Sequence, residues 1–230
     1  MSTQRRPHRV LLVDDDAMVR TGLRMILTSA DDIEVVAEAG DGDEVVPVVQ
    51  AHAPDVVLMD LGMARMDGIT ATRAVRALPS PPEVVVLTSW DLDDAVLRSI
   101  TAGAAGFLLK TSGPNEIIEA VRAVATGDAI LSPRTTRRVL DHLASDAAQT
   151  DRRSAVELVD RLSERERAVA VAVGHGQGNE QIARSLYISV ATVKTHLGAA
   201  QAKLGVSNRV QVAVLAERAG LLSAPRRTSG

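Results

Sequence analysis

Five short runs of apolar residues alternate with helix-length segments through the first 126 residues, and no other feature of the sequence constrains the fold as much. The runs are Val10–Val13, Ile33–Ala37, Val56–Met59, Val84–Leu87 and Gly106–Leu109. They are continuous and mostly aliphatic, as strands are when both of their faces are buried. Five strand–helix repeats predict an α/β unit with one doubly wound, five-stranded parallel sheet and helices on both faces.

The segments between the runs are each long enough for two or three helical turns. We expect helices at Ala17–Thr28, Asp43–Ala51, Ile69–Leu78, Leu92–Ala102 and Pro114–Ala125. Pro47 must lie in the first turn of its helix or bend it. Because ligands of such sheets bind beyond the carboxyl ends of the strands, functional residues are expected at that edge.

The pattern changes after residue 126. Residues 127–159 are interpreted as a linker with a helical start at Ser132-Pro133, and residues 160–222 as a small all-α domain of four helices. Two of these helices are joined by the tight connection Tyr187–Ser189, which predicts a helix-turn-helix. Candidate helix caps and stops are Ser163 with Glu166, Asn179, Ser189, Gly205, and Ser207 or Asn208.

The charges of the two ends differ in sign. Residues 1–150 carry 22 acidic and 14 basic side chains, whereas residues 151–230 carry 7 and 12. This asymmetry indicates two different partners, with the basic end suited to nucleic acid. The absence of cysteine excludes thiolate catalysis and Cys-based metal sites. No segment approaches the length of a membrane span, so we expect a soluble, cytoplasmic protein with no membrane partner.

Polar side chains follow the predicted strands at their carboxyl ends. Asp14 and Asp15 come after the first strand and Asp60 after the third, so three carboxylates should meet at one edge. Like charges so close together favour a bound cation, and an all-oxygen ligand set favours a hard ion such as Mg²⁺. Thr88 and Lys110 end the fourth and fifth strands and would bring a hydroxyl and a cation suited to phosphoryl oxygens.

The strings around these residues resemble the receiver domain of bacterial two-component response regulators over residues 8–126. They are LVDD at 12–15, LMDL at 58–61, MDG at 66–68, LTS at 87–89 and GAAGFLLK at 103–110. The resemblance implies a flavodoxin-like sheet, a sensor histidine kinase as partner and Asp60 as the phosphoacceptor. One departure is Ala64, where the family usually has Pro.

The resemblance also assigns roles around Asp60. It implies that Mg²⁺ is bound by Asp15, Asp60 and the Gly62 carbonyl, with Asp14 acting largely through water. Thr88 and Lys110 would bind the phosphoryl group, and Thr88 with Phe107 would form a conformational switch.

The predicted helix after Ser189 has two distinct faces. Val193, Leu197, Ala200 and Leu204 recur at helical spacing and should face the core of the domain. The opposite stripe presents Ala191, Lys194, Thr195 and Gly198. An apolar inner face with a small-to-basic outer face suits a helix that lies in a DNA major groove.

Longer strings in this region resemble the LuxR-type helix-turn-helix, and with the preceding domain the chain resembles the NarL/FixJ class of response regulators. The strings are LSERE at 162–166, NEQIA at 179–183, SVATVKTHL at 189–197 and KLGVSNR at 203–209. The resemblance implies double-stranded DNA as a partner, a homodimer when phosphorylated, and RNA polymerase as a further partner. It places Lys194, Thr195 and Gly198 at the bases, and Thr192, His196, Lys203 and Arg209 nearer the phosphates.

We therefore expect a phosphorylation-controlled transcription factor rather than an enzyme. Two alternatives remain open at this point. A phosphatase with an aspartyl-phosphate intermediate is suggested by Asp14-x-Asp16, although Met18 stands where that family has Thr or Val. A DNA-binding regulator that works without phosphorylation is the other, and the complete set of pocket residues argues against it.

Overall fold

The computed structural model describes residues 6–88, 93–127 and 149–222. The chain divides into two compact units, residues 1–132 and 133–230. The helical start predicted at Ser132-Pro133 lies outside the described residues. None of the helices in the described ranges combines the length and the apolarity that crossing a bilayer requires.

The first unit contains the predicted five-stranded parallel sheet, in the order β2-β1-β3-β4-β5. Its strands are β1 His8–Val13, β2 Ile33–Ala39, β3 Val56–Asp60, β4 Glu83–Thr88 and β5 Gly106–Leu109. All five residues of β3, the central strand, are buried, because helices cover both faces of the sheet. The fold-class prediction is confirmed for this unit.

Helices follow each strand, as the alternation predicts. They are α1 Ala17–Thr28, α2 Val45–His52, α3 Gly68–Arg76, α4 Asp93–Ala102 and α5 Pro114–Ala125. A 3₁₀ turn at Gly42–Glu44 precedes α2, so the helix predicted from Asp43 begins two residues later. Pro47 is the third residue of α2, in the first turn, where the missing N–H costs no helical hydrogen bond.

The strand order fixes where a ligand can bind. β1 pairs with β2 on one side and with β3 on the other, so the chain changes winding direction between β1 and β3. At such a switch point the loops after the two strands diverge and leave a crevice at the carboxyl edge. Asp14 and Asp15 follow β1 directly, and Asp60 is the last residue of β3, so all three carboxylates lie at this crevice.

The second unit is helical throughout its described part. Its helices are α6 Gln149–Val159, α7 Glu164–Gly174, α8 Asn179–Leu186, α9 Val190–Leu204 and α10 Arg209–Arg218. The four buried residues of α9 are Val193, Leu197, Ala200 and Leu204, which confirms the predicted inner face. They pack in one core with residues of α6, α7, α8 and α10.

Two details of this unit differ from the sequence expectations. Part of the predicted linker is helix α6, whose Val159 is buried in the core of the unit; the small, polar sequence at 144–154 hid this packing. Asn179 is not the N-cap of α8: Gly178 takes that position, and Gln181 Oε1 accepts from Gly178 N at 2.9 Å. The buried Asn179 side chain instead accepts from Arg209.

Other predicted caps are confirmed. The side chains of Ser163, Ser189 and Asn208 accept backbone N–H groups at the starts of α7, α9 and α10. Gly205 ends α9 with φ +69°, a left-handed conformation that favours glycine.

Candidate functional site

Three carboxylates converge at the crevice between β1 and β3. Asp14 is completely buried and Asp60 nearly so, whereas Asp15 is exposed. Each of the three offers an oxygen that lies within 4.8 Å of the others. This cluster is the one expected from the strand ends.

Lys110 lies between two of these carboxylates, immediately after β5. Its Nζ is 2.6 Å from Asp14 Oδ2 and 3.0 Å from Asp60 Oδ1. The backbone N–H of Lys110 donates to Thr88 O at 2.7 Å, which fixes the end of β5 against the end of β4. The single ammonium partly offsets the negative charge of the cluster.

Burial sets the protonation behaviour of the pair. Removal from water raises the pKa of Asp60, and the nearby charge of Asp14 acts in the same direction against the opposing effect of Lys110. Burial alone would lower the pKa of Lys110, but its close contacts with the Asp14 and Asp60 carboxylates outweigh that effect and raise the pKa. Lys110 therefore remains a cation at neutral pH.

Thr88 and Phe107 flank this centre on β4 and β5. Thr88 is the last residue of its strand and lines the same cleft as Asp60 and Lys110. Phe107 is 6% exposed and pairs in register with Val86, so the ring belongs to the core. The role of Thr88 and Phe107 as a conformational switch stays a prediction.

The donor set fits a hard divalent cation. Every candidate ligand is an oxygen, and one of them, Asp14 Oδ2, is buried with no hydrogen-bond donor of good geometry beyond its ion pair with Lys110. The Gly62 N–H donates to Asp60 Oδ2 at 3.2 Å, so the loop after β3 stays close to the carboxylate. Residues of this kind suit Mg²⁺, which binds through few carboxylates and keeps part of its water shell.

The surrounding cleft has a volume of about 680 Å³. Asp16 and Asp67 lie on it, but their carboxylates accept backbone N–H groups at the starts of α1 and α3 and so act as helix N-caps. Arg98 of α4 also lines the cleft, and sequence reasoning missed it. An arginine within an amphipathic helix carries no signal that would set it apart.

A second set of candidate residues lies along α9. Lys194, Thr195 and Gly198 are exposed, and Thr192 and His196 are half-buried. A Cβ added at Gly198 would have no heavy atom within 4 Å, so this part of the face is open. The preceding turn carries Tyr187, which is 95% exposed and left-handed with φ +55°.

Two residues expected near DNA phosphates have partners inside the unit. Arg209 is 6% exposed and donates to Gln177 O at 2.6 Å and to Asn179 Oδ1 at 3.4 Å. This burial argues against the expected phosphate contact, which stays a prediction, because the guanidinium joins the start of α10 to the turn before α8. Lys203 Nζ lies 2.6 Å from Glu166 Oε2 and keeps 42% of its side chain exposed.

Both units match known families at the positions of these sites. Residues 10–122 match the response regulator receiver domain, and residues 160–216 match the LuxR family of bacterial regulatory proteins. The chain belongs to the two-component response regulators. In this response regulator, the acidic cleft lies in the receiver domain and the exposed face of α9 in the LuxR-type domain.

Curated relatives cover nearly the whole response regulator. The transcriptional regulatory protein LiaR of Bacillus subtilis is 42% identical over 94% of this chain and 99% of its own length. The response regulator protein VraR of Staphylococcus aureus is 34% identical over 93% of this chain and 98% of its own. These matches show that the order of the two domains is shared with full-length regulators.

Solved structures agree with this assignment. The response regulator ChrA of a heme-sensing two-component system is 39% identical, covers 94% of this chain and 98% of its own, and has a TM-score of 0.51. The receiver domain of the response regulator NarL from Mycobacterium tuberculosis is 37% identical over 54% of this chain and 99% of its own, with a TM-score of 0.52. The response regulator described here is thus a DNA-binding transcriptional regulator, and its two domains imply a histidine kinase and DNA as partners.

Proposed function

We propose that Asp60 accepts a phosphoryl group from the phosphohistidine of a sensor histidine kinase and that this modification controls dimerisation and DNA binding. The observation that carries the proposal is the position of the Asp60 carboxylate, which lies 3.0 Å from Lys110 and shares a cleft with Asp15 and Thr88. A nucleophile, a cation and a hydroxyl donor thus surround one space that is open to a partner.

The chemistry is an in-line displacement. A carboxylate oxygen of Asp60 attacks phosphorus, the P–N bond of the phosphohistidine breaks, and the imidazole leaves with the electron pair. Lys110 is placed to neutralise an equatorial phosphoryl oxygen, and Thr88 to donate a hydrogen bond to another. The product is an acyl phosphate, whose phosphoryl group carries about −1.5 to −2 charge in place of the single charge of the carboxylate.

Asp14, Asp15, Asp60 and the Gly62 carbonyl would hold Mg²⁺. When bound, the ion supplies positive charge that offsets the carboxylates and the incoming phosphoryl oxygens. The all-oxygen cluster within 4.8 Å supports this assignment. Lys110 carries only one of the positive charges that such a collection of anions requires.

Phosphorylation acts by shifting an equilibrium between two receiver conformations. A hydrogen bond from Thr88 to the phosphoryl group would favour the conformation in which Phe107 occupies the space near β4. We assign the resulting change to α4 and β5, where it would promote a homodimer. A shift from about 1:99 to 99:1 requires a differential affinity of roughly 5.5 kcal/mol.

The dimer would present two α9 helices to duplex DNA. Lys194, Thr195 and Gly198 form the exposed stripe proposed to read bases, while Thr192, His196 and Lys203 flank it toward the phosphates. Two half-sites about 10 bp apart would match a two-fold symmetric pair. A target in genomic DNA would make this a cytoplasmic activity, and RNA polymerase would be a further partner at the promoter.

The test combines a chemical label with a binding measurement. The full-length protein is incubated with Mg²⁺ and acetyl phosphate, and the added mass is located by peptide mapping. We expect the label on Asp60, none in Asp60→Asn, and an unchanged label in the control Asp31→Asn, whose side chain is exposed in the turn before β2.

Affinity is then measured on a duplex selected from a random library, with dimerisation followed by sedimentation. Labelling of Asp60 together with tighter DNA binding supports the proposal. Unchanged DNA affinity and oligomeric state after complete labelling would favour a regulator that works without phosphorylation.

A phosphatase remains the competing activity, and Asp16 bears on it. A second catalytic carboxylate would have to be available, but Asp16 Oδ1 accepts from Met18 N at 2.8 Å as the N-cap of α1. The capping role of Asp16 therefore favours a regulator over a phosphatase. Repeated turnover of a phosphate ester that is lost in Asp14→Ala would overturn it.

A further inference from the structure

The loop between β3 and α3, residues 61–67, determines what surrounds the phosphoacceptor. It begins directly after Asp60 and includes Gly62, whose carbonyl is a proposed Mg²⁺ ligand. Its two ends are held together, because Gly68 N donates to Leu61 O at 3.1 Å. With Ala64 in its middle, the loop has no proline ring to restrict its backbone, so its shape depends on contacts from outside.

Those contacts come from Asp41, in the turn after β2. Asp41 is 4% exposed, and each of its carboxylate oxygens accepts one loop amide: Oδ2 accepts from Arg65 N and Oδ1 from Met66 N, both at 2.9 Å. Two charge-assisted bonds from one rigid group fix two consecutive peptide units. A buried carboxylate that spans 24 residues of sequence in this way is a specific constraint on the loop.

The glycine at position 42 allows this approach. A Cβ at Gly42 would overlap Met66 O, so no side chain fits between the turn and the loop. Directly after the loop, a Cβ at Gly68 would overlap Asp60 O. The loop is therefore held close to the turn that carries Asp41, and its end lies against the backbone of the phosphoacceptor.

Arg65 makes a weaker, outer connection. Its guanidinium lies 2.8 Å from Asp43 Oδ1 and 2.6 Å from Glu44 Oε1, but these three side chains are 44–56% exposed. Exposed ion pairs of this kind contribute little. The constraint thus resides in the Asp41 carboxylate, which gives the chain a matched control at Asp43.

We propose that Asp41 is a positioning residue for the phosphoacceptor centre: by holding the amides of residues 65 and 66 it sets the loop so that the Gly62 carbonyl can complete the Mg²⁺ site. The inference rests on the proposed function of the receiver. Asp41 would thus influence the affinity for Mg²⁺ although its carboxylate contacts neither the metal ligands nor the phosphoryl group.

The test separates metal binding from phosphorylation. Full-length wild type, Asp41→Ala, Asp41→Asn and Asp43→Ala are titrated with MgCl₂ while amide ¹H–¹⁵N shifts of residues 14, 60 and 62 are followed. We expect the dissociation constant to rise about tenfold in Asp41→Ala, as the loss of an outer partner of a metal site does. Asp41→Asn should also bind more weakly, because its amide group would present N–H to one of the loop N–H groups. Asp43→Ala should match wild type.

Phosphorylation by acetyl phosphate is then measured across Mg²⁺ concentrations. Loss of positioning raises the Mg²⁺ concentration for half-maximal rate and leaves the rate at saturating Mg²⁺ largely restored. A merely structural role would lower the rate at every concentration and leave the half-saturation point unchanged.

Folded Asp41→Ala or Asp41→Asn protein with wild-type Mg²⁺ affinity would overturn the inference, and Asp41→Asn supplies the answer should Asp41→Ala not fold. A wild type that binds Mg²⁺ at these residues but takes no label would instead overturn the proposed function. A wild type that binds no Mg²⁺ would overturn both.

Discussion

Both units of this response regulator bury charged side chains, but the charges that surround those side chains differ. In the receiver, Asp14 and Asp60 are buried side by side and share one lysine, so the fold retains an excess of like charge. In the LuxR-type domain, Glu166 and Arg209 are buried among complementary partners. Burial of a charged side chain is therefore not by itself a sign of function. Burial beside a second side chain of the same charge is such a sign.

The largest expected effect comes from Asp60→Asn. Labelling should disappear, yet the Mg²⁺-free receiver should be at least as stable as wild type at neutral pH. Burial raises the pKa of Asp60, so its ionised form costs stability at any pH above the ordinary carboxyl pKa. The cost disappears at lower pH, where Asp60 is protonated in both the folded and unfolded states.

Denaturant unfolding at pH 7 and pH 3.5 measures this effect. The stability difference between Asp60→Asn and wild type should be present at pH 7 and small at pH 3.5. An Asp60→Asn protein that is less stable at pH 7 would mean that the ion pair with Lys110 outweighs burial, and the contrast between the two units would be lost.

Arg209→Ala should have the next largest effect, on stability rather than on DNA affinity. It would remove the hydrogen bonds that Arg209 donates to Gln177 O and Asn179 Oδ1, at a cost of about 2–4 kcal/mol to the second unit. Hydrogen exchange of the full-length protein should show reduced protection in α8 and α10. Unchanged protection combined with weaker DNA binding would support the phosphate contact that the sequence predicts for Arg209.

Lys194→Ala tests the exposed face. Since the side chain is exposed on α9, its removal should leave the unfolding free energy unchanged. We expect DNA affinity to fall by about 1–3 kcal/mol if the ammonium reads a base edge, with reduced discrimination between sequences. A fall that is equal on all sequences, with a salt slope smaller by about 0.9, would reassign Lys194 to the phosphates.

Glu166→Gln should have the smallest effect on the free energy of unfolding. It should destabilise the second unit slightly, whereas Asp60→Asn should not destabilise the receiver. The hydrogen bond from Lys203, with that from Ser163 N, lowers the pKa of Glu166. Its charge therefore contributes stability above the ordinary carboxyl pKa, and that contribution is lost as the pH falls through the lowered value. With Lys203 half-exposed, we expect a loss of about 0.2–1 kcal/mol at pH 7.

The measurement is the unfolding free energy of the second unit between pH 7 and pH 3. The difference between wild type and Glu166→Gln should shrink as the pH falls below the ordinary carboxyl pKa, because protonation of Glu166 removes its charge. A difference that persists at pH 3 would show that the shape of the carboxylate in the capping box matters more than its charge.

The features of the structure that depend on a local pattern could be predicted from the sequence. Aliphatic runs located the strands, and their order along the chain brought Asp14, Asp15 and Asp60 together. Ser163, Ser189 and Asn208 cap helices as expected, because capping depends on residues within one turn.

Long-range pairing could not be predicted in the same way. Arg209 and Asn179 are 30 positions apart, and nothing in either segment indicates that they bond to each other. Asp41 likewise reads as an ordinary turn residue, although its carboxylate holds a loop 24 positions away. Helix α6 was missed because only Ala155 and Val159 of its described side chains are buried, too few to form a recognisable stripe.

The two faces of α9 share no residues. Val193, Leu197, Ala200 and Leu204 hold the helix in its core, while Lys194, Thr195 and Gly198 make no contribution to that packing. The outward positions can therefore be varied together in a library without loss of the fold. Gly198 is the position of choice, because a Cβ added there would have no heavy atom of the domain within 4 Å, and new operator preferences can be selected from a domain that folds as before.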